Sequence, residues 1–483
     1  MTTHPPHHGL RGLAWLLIGI LQASAFVAAI FPPLPVTVVI LAALSAIGLI
    51  SLHVVKLSIM CRLFVLLYSL PFAASLGYLF DSEYIWARST NVQPLCQIHD
   101  LINPMLAMAI VGLCGMMAGI ETTAGFLRRF QPSAMRSERV DPPPSLSLPV
   151  VVVLLGVSIF LSWLHAPTET IFEAAYTGKV ETALKGAWLI SYLILIFLYV
   201  DFERDPPGCH RARLKLLGLT ATVAYIVIVL QILRGDRECA GLVTGLVMLY
   251  VTRPEVGADQ AETRRISGRT KRVLMLAIPL VACIVVFAAL GTLRRTMSES
   301  PFDDPDTRSM VVKYFTRNTW TAVSLNNLGL ATDCYYGTVE YLHGRTYVDY
   351  VLSLPPSPIS NWLNYVRPLD GPANPARWYN CLMAFGGMHP VVVPFRNFGI
   401  WGVLPILFLF GSFICCCEVQ NERGCFSTRL LYGCVATASM EWFWYGEMSM
   451  IRTLLMWAIL LFLDRPRWFH ARSLALRNRI PSP

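Results

Sequence analysis

The chain has 483 residues, of which 55% are hydrophobic and only 14% charged, with a formal net charge of +9. A soluble protein carries about a quarter charged residues, so this composition excludes an ordinary soluble enzyme or binding module. The apolar residues gather into separate runs of roughly 17–25 residues, the length that crosses a bilayer, and the chain reads as an all-α polytopic membrane protein with about 12 transmembrane helices.

In chain order, hydropathy predicts spans at 11–31, 34–54, 57–80, 101–120, 149–164, 186–201, 214–233, 239–252 and 273–292. Three more follow at 399–417, 427–446 and 449–463. The first run is long enough to span and has no small-residue cleavage site after it, so it reads as a span and not as a removable leader. This divides the chain into residues 1–292 with short loops, one large loop at 293–398, and a last group of helices with a tail at 399–483. The segments 121–148 and 253–272 are basic connectors without aromatic content.

Lys and Arg set the orientation. With a cytoplasmic N-terminus, the inside segments hold Arg11, Lys56, Arg62, the Arg128–Arg139 group, Arg204, Arg211, Arg213, Lys215, the Arg253–Arg272 group, Arg423, Arg429 and the arginines after Asp464. The short outside loops hold only Arg88, Lys179, Lys185, Arg234, Arg237 and Arg452. Both termini then lie in the cytoplasm and the large loop outside. The positive net charge reports this topology and gives no reason to expect nucleic acid.

Most of the thirteen cysteines fall in or beside apolar runs, where cysteine acts as a small hydrophobe. Cys334 and Cys381 share the outer loop, where a disulfide is permitted, with Cys96 as another outside partner. No CxxC or His-rich spacing argues for a metal. No glycine-rich phosphate loop points to ATP.

The polar chemistry concentrates on the outer side. "QILRGDRECAGLVTGLVMLY" places Arg234 and Arg237 in a tight outer turn, against the charge rule. An anionic ligand such as a diphosphate would balance them, since guanidinium grips phosphate oxygens as a fork. Ion pairing with Asp236 or Glu238 is the alternative. The large loop is dense in Tyr, Trp, Phe, Asn, Arg and His, too long for a passive connector and too apolar for disorder. Its apolar spacing, broken by glycine and proline, predicts short helices folded over the bundle. Aromatic rings suit both sugars and an interfacial belt. Within it, "LHGRTY" carries His343, a lone loop histidine expected at the surface, and Arg345, a better ligand candidate. "EWFWYGEMSMIRT" places Glu441 inside a predicted helix and Glu447 and Arg452 around the next outer turn, either as a site or as a structural Glu–Arg pair.

Three stretches together resemble the Wzy-type oligosaccharide repeat-unit polymerases of bacterial surface polysaccharides, a family broadly related to the O-antigen ligases. They are "LRGDR" followed at once by a span, "GRTYVDYVLSLPPSP" in the large loop, and "GGMHPVVVPFRNFGIWGVLPILFLFG" leading out of it. The resemblance implies an inner-membrane glycosyltransferase with its site at the periplasmic face. A glycan held on undecaprenyl diphosphate would pass to the terminal sugar of a new lipid-linked repeat unit, and undecaprenyl diphosphate would leave. A polysaccharide chain-length regulator is an expected partner, and no cofactor is expected.

That chemistry needs cations where charge develops on the leaving diphosphate and a base for the acceptor hydroxyl. His389 is the expected base or acceptor-orienting group, with Glu447 as the alternative base or the group that orients it. Arg234, Arg237 and Arg396 are expected diphosphate ligands. Arg345 and Arg452 are secondary candidates, and Asn397 is a substrate contact beside Arg396. Arginines make a metal unnecessary. Two other readings stay open: ligase-type transfer to a different acceptor, and a flippase for the same lipid-linked oligosaccharide. A flippase would favour internal repeats and a mid-membrane site, and no repeat is visible.

Overall fold

The computed structural model describes residues 58–68, 98–130, 145–165, 187–206, 208–232, 238–253, 341–353, 390–422, 424–446 and 449–462. The described residues are overwhelmingly helical, with no strand among them. The predicted spans 11–31, 34–54 and 273–292, most of the 293–398 loop, Cys96, Cys334 and Cys381 lie outside them. So do the site candidates Arg234, Arg237, His389 and Glu447.

The helices are α1 (Ile59–Tyr68), α2 (Ile98–Phe130), α3 (Leu148–His165), α4 (Ala187–Phe202) and α5 (His210–Ile232). After α6 (Cys239–Val251) come two short helices, α7 (Arg345–Ser353) and α8 (Val392–Phe398). The last three are α9 (Ile400–Asn421), α10 (Phe426–Tyr445) and α11 (Ser449–Phe462). Helices thus occupy the predicted runs from 101 onward wherever these are described. One boundary differs clearly: α2 runs ten residues past the predicted end at 120, because "ETTAGFLRRF" continues the helix after its apolar face has ended.

Helices α5 and α9 are long and apolar enough to cross a membrane. Val152, Val153, Phe160, Trp163, Leu217, Trp401, Leu409 and Phe462 all stand more than half exposed. Apolar surface of that extent needs a nonaqueous neighbour.

Contacts divide the chain into two units. The first comprises Met1–Phe130, Val312–Val419 and Glu441–Ser449. In it α2 and α9 meet backbone to backbone. Gly115 and Gly119, one turn apart, face the carbonyls of Leu404 and Phe408, and a Cβ on Gly115 would sit 2.7 Å from the Leu404 oxygen. Small residues at this spacing let apolar helices approach closely enough for backbone contact. Ser412 Oγ donates to the Gly119 carbonyl at 3.3 Å across the same contact. Nearby, Trp442 stacks on Phe410 at 4.9 Å and meets Phe64 edge-on at 5.0 Å.

The second unit comprises Gln131–Val311, Gln420–Met440 and Met450–Pro483. Its centre is α4, buried along nearly its whole length, against which α3, α5 and α6 pack. One end of this bundle is pinned by charge. Lys215 Nζ lies 2.8 Å from Asp201 and 2.9 Å from Asp205, with all three side chains buried. Asp201 also accepts the Leu146 backbone N–H at 3.0 Å, filling a donor ahead of α3. Arg429 donates to Glu203 at 2.9 and 2.8 Å, and to the Asn421 side chain and the Thr252 and Leu249 carbonyls. Lys215 and Arg429 therefore contribute more than orienting charge. They tie α4, α5, α6 and α10 together at their ends. Among the described residues every cysteine is a free thiol.

Candidate functional site

Two of the stretches that carry the resemblance come together in the first unit. Helix α8 is only seven residues long, so its last carbonyls lack partners within the helix. The chain at 341–346 supplies them: Leu342 N–H donates to the Arg396 carbonyl at 3.1 Å and His343 N–H to the Asn397 carbonyl at 2.9 Å. The exchange is mutual. Asn397 Oδ1 accepts the Thr346 N–H at 3.3 Å in the first turn of α7, while Asn397 Nδ2 donates to the Val393 carbonyl at 2.8 Å.

Two glycines make this docking possible. Gly344 has φ +85 and a Cβ there would meet the Phe398 ring at 3.0 Å. Gly399 has φ 64 and ψ −161, a region that only glycine occupies readily, and a Cβ would meet the Tyr341 ring at 3.1 Å. Each segment thus presents a glycine to the other's aromatic ring. Tyr347 stacks on Phe398 at 6.1 Å, and Tyr341 meets Phe395 edge-on at 6.0 Å. Gly399 also separates α8 from α9, where sequence reading had placed a single polar entry to one span.

Arg396 and Asn397 are both buried on α8, whereas Arg345, the first residue of α7, is exposed. A buried guanidinium costs several kcal/mol to desolvate, so Arg396 is held at a position where an arginine is expensive. His343 is exposed as expected, with φ 47, the left-handed conformation that lets the chain turn into Gly344 and α7.

The same helix touches the end of α10. Gly446, at φ +70, ends α10, and a Cβ there would stand 3.7 Å from Pro390 Cα and 3.8 Å from Val393. Pro390 and Gly446 are the described residues next in sequence to His389 and Glu447. Ser449 Oγ donates to the Gly446 carbonyl at 2.9 Å and fixes the turn into α11.

Arg452 belongs to the second unit, where its guanidinium lies 5.8 Å from the Trp188 ring centroid. Among the described residues no group of His, Cys, Asp and Glu could hold a metal ion. Sequence reading missed Thr346, Tyr341, Gly344 and Gly399 as parts of this arrangement. The glycines were visible as breakers, but nothing local joins them across about fifty residues. No protein-family model, no curated protein and no solved structure matches the chain.

Proposed function

We propose that the chain is a multi-pass glycosyltransferase of the bacterial inner membrane, of the Wzy type. It polymerises undecaprenyl-diphosphate-linked oligosaccharide repeat units into surface polysaccharide at the periplasmic face. The observation that carries this reading is the docking of "LHGRTY" on "PFRNFG" through Asn397, Gly344 and Gly399. Segments singled out for their polar chemistry form one wall around a buried arginine, and the sequence neighbours of both candidate bases adjoin that wall. Among the described residues, the charged pairs of the second unit lie at helix ends, and the polar residues proposed for transfer are elsewhere.

In the proposed reaction the acceptor hydroxyl of the incoming repeat unit attacks the anomeric carbon of the growing glycan. The new C–O bond forms as the bond to diphosphate breaks. His389 takes the hydroxyl proton, or Glu447 does so with His389 orienting the acceptor. Arg234, Arg237 and Arg396 are the proposed ligands for the charge that passes to undecaprenyl diphosphate, with Arg345 and Arg452 as secondary candidates. Asn397 holds α7 against α8 and so positions this wall.

The test is polymer formation by purified protein supplied with lipid-linked repeat units. Wild type should extend them. Arg396→Lys, which keeps the charge but loses the planar fork, should lower kcat by about 10²-fold. Transfer of single units to another acceptor would replace the polymerase reading with ligase chemistry. Polymer formed at an unchanged rate by Arg396→Lys and by His389→Ala would sink the site.

A further inference from the structure

Helix α5 does not stay α-helical to its end: Tyr225–Ile232 winds as a π-helix. Such turns are rare, shift the side-chain register and are frequent at functional sites. The stretch "YIVIVLQI" contains one amide among apolar residues, Gln231, and it is completely buried. Among the described residues, neither the amide nitrogen nor the amide oxygen of Gln231 has a hydrogen-bond partner. A buried carboxamide with both ends unpaired is markedly worse than an apolar side chain of the same shape. Such a group needs an explanation, and a partner from outside the chain supplies one.

The ion pair at the other end of the bundle gives the height of this residue. Lys215 on α5 is fixed to Asp201 on α4 at 2.8 Å. Asp201 lies in the last turn of α4 and Lys215 in the second turn of α5, and the two helices pack on each other, so nearly all of each lies on one side of the pair. Gln231 lies sixteen residues along α5 from Lys215, the last seven of them π-helical, and Trp188 thirteen residues along α4 from Asp201, each a distance on the order of 20 Å. Gln231 therefore shares the end of the bundle occupied by Trp188, over which Arg452 is placed. Ser191, one turn below Trp188, is bonded to Ser162 of α3 at 2.7 Å. The π-helical segment itself packs on α3 and α6. An unpaired amide thus stands at an end of the second unit that also carries the Trp188 ring, the Arg452 guanidinium and the buried hydroxyls of Ser162 and Ser191.

The chemistry of the amide narrows the ligand. A carboxamide presents a donor and an acceptor side by side. A diphosphate only accepts and would leave Oε1 unpaired, and a prenyl chain offers neither function. Neighbouring sugar hydroxyls, or an acetamido group, both donate and accept at that spacing. We infer that Gln231 is a glycan-binding residue that reads hydroxyl or acetamido groups of the sugar on the lipid carrier. The assignment rests on the proposed reading of the chain as a transferase of lipid-linked glycans.

The experiment compares wild type, Gln231→Met and Gln231→Glu in lipid nanodiscs. The probes are undecaprenyl diphosphate N-acetylglucosamine and undecaprenyl diphosphate without sugar. Gln231→Met keeps the shape and removes the unpaired amide, so without added lipid it should melt at or above the wild-type temperature. Its Kd for the sugar-bearing lipid should weaken at least tenfold, with Kd for the bare lipid unchanged. Gln231→Glu loses the amide donor and should show the same selective weakening. Wild type that binds both lipids, with either variant binding the sugar-bearing one equally well, overturns this assignment alone. Equal weakening toward both lipids overturns it as well. Wild type that binds neither lipid overturns the transferase reading and this assignment together.

Discussion

Asn397 joins two segments fifty-one positions apart in sequence by accepting the Thr346 N–H on its side-chain oxygen. Its nitrogen is spent on the Val393 carbonyl one turn earlier in α8, so the amide cannot rotate without losing both bonds. Asn397→Leu would leave a buried N–H at Thr346 unpaired, a loss of about 1–3 kcal/mol. The variant should melt lower than wild type, and the amides at the start of α7 should exchange hydrogen faster, with α8 and α9 unaffected. Uniform loss of protection through α9 would show that Asn397 supports the whole unit and not this contact.

Gly399 separates two effects that are usually mixed. Its φ and ψ are open to glycine alone, and Tyr341 fills the space where a Cβ would go. Gly399→Ala should therefore destabilise by about 1–3 kcal/mol from the backbone term alone, with the crowding added to it. Trimming the ring in Gly399→Ala/Tyr341→Leu relieves only the crowding. The double variant should recover part of the melting temperature and not all of it. Full recovery would mean that the backbone conformation carries no penalty.

Several of these features were legible in the sequence for identifiable reasons. Apolar runs bounded by charge or glycine located α3 to α6 and α9 to α11 closely, since burial or lipid contact requires such runs to be helical. The apolar spacing of the large loop, broken by glycine and proline, predicts short helices, and α7, which follows Gly344, is one of them. The end of α2 was not legible, because "ETTAGFLRRF" loses apolar character without losing helical propensity. Nor was the fate of Asp201, Glu203 and Asp205: their partners Lys215 and Arg429 are read from sequence as orienting charge, and only packing brings them into buried pairs. The bond from Asn397 to Thr346 has no local signal at all.

The Glu203–Arg429 pair gives a dependence on pH whose sign can be stated. Burial raises the Glu203 carboxyl above its ordinary value of 4.5, and the Arg429 charge and hydrogen bonds pull it back only in part. A carboxyl raised in the folded state contributes stability that is complete below pH 4.5 and declines as pH rises through the raised value. Glu203→Gln removes that titration while leaving Arg429 its bonds to Asn421, Thr252 and Leu249. The stability deficit of the variant should be largest near pH 4.5 and shrink toward neutral pH. A deficit that grows with pH would mean that the attraction of Arg429 outweighs burial. Arg429→Met should cost more, about 3–5 kcal/mol at neutral pH, because it strands a buried carboxylate.

Pro390 and Gly446 adjoin in the first unit, and they are the sequence neighbours of the two candidate bases. If His389 and Glu447 serve one proton transfer, with one taking the proton and the other orienting it, their removal cannot be additive, because the second group has no function once the first is gone. His389→Ala alone should lower kcat by about 10²–10⁴-fold, the usual worth of a positioned base. Glu447→Gln should cost less if it orients, and the double variant should be no slower than His389→Ala. A double variant slower by the product of the two single effects would show independent roles. Glu447 would then belong to the structural pairing that sequence reading held open for it. The comparison is best made on kcat with lipid-linked repeat units in excess, so that weakened binding does not enter the ratio.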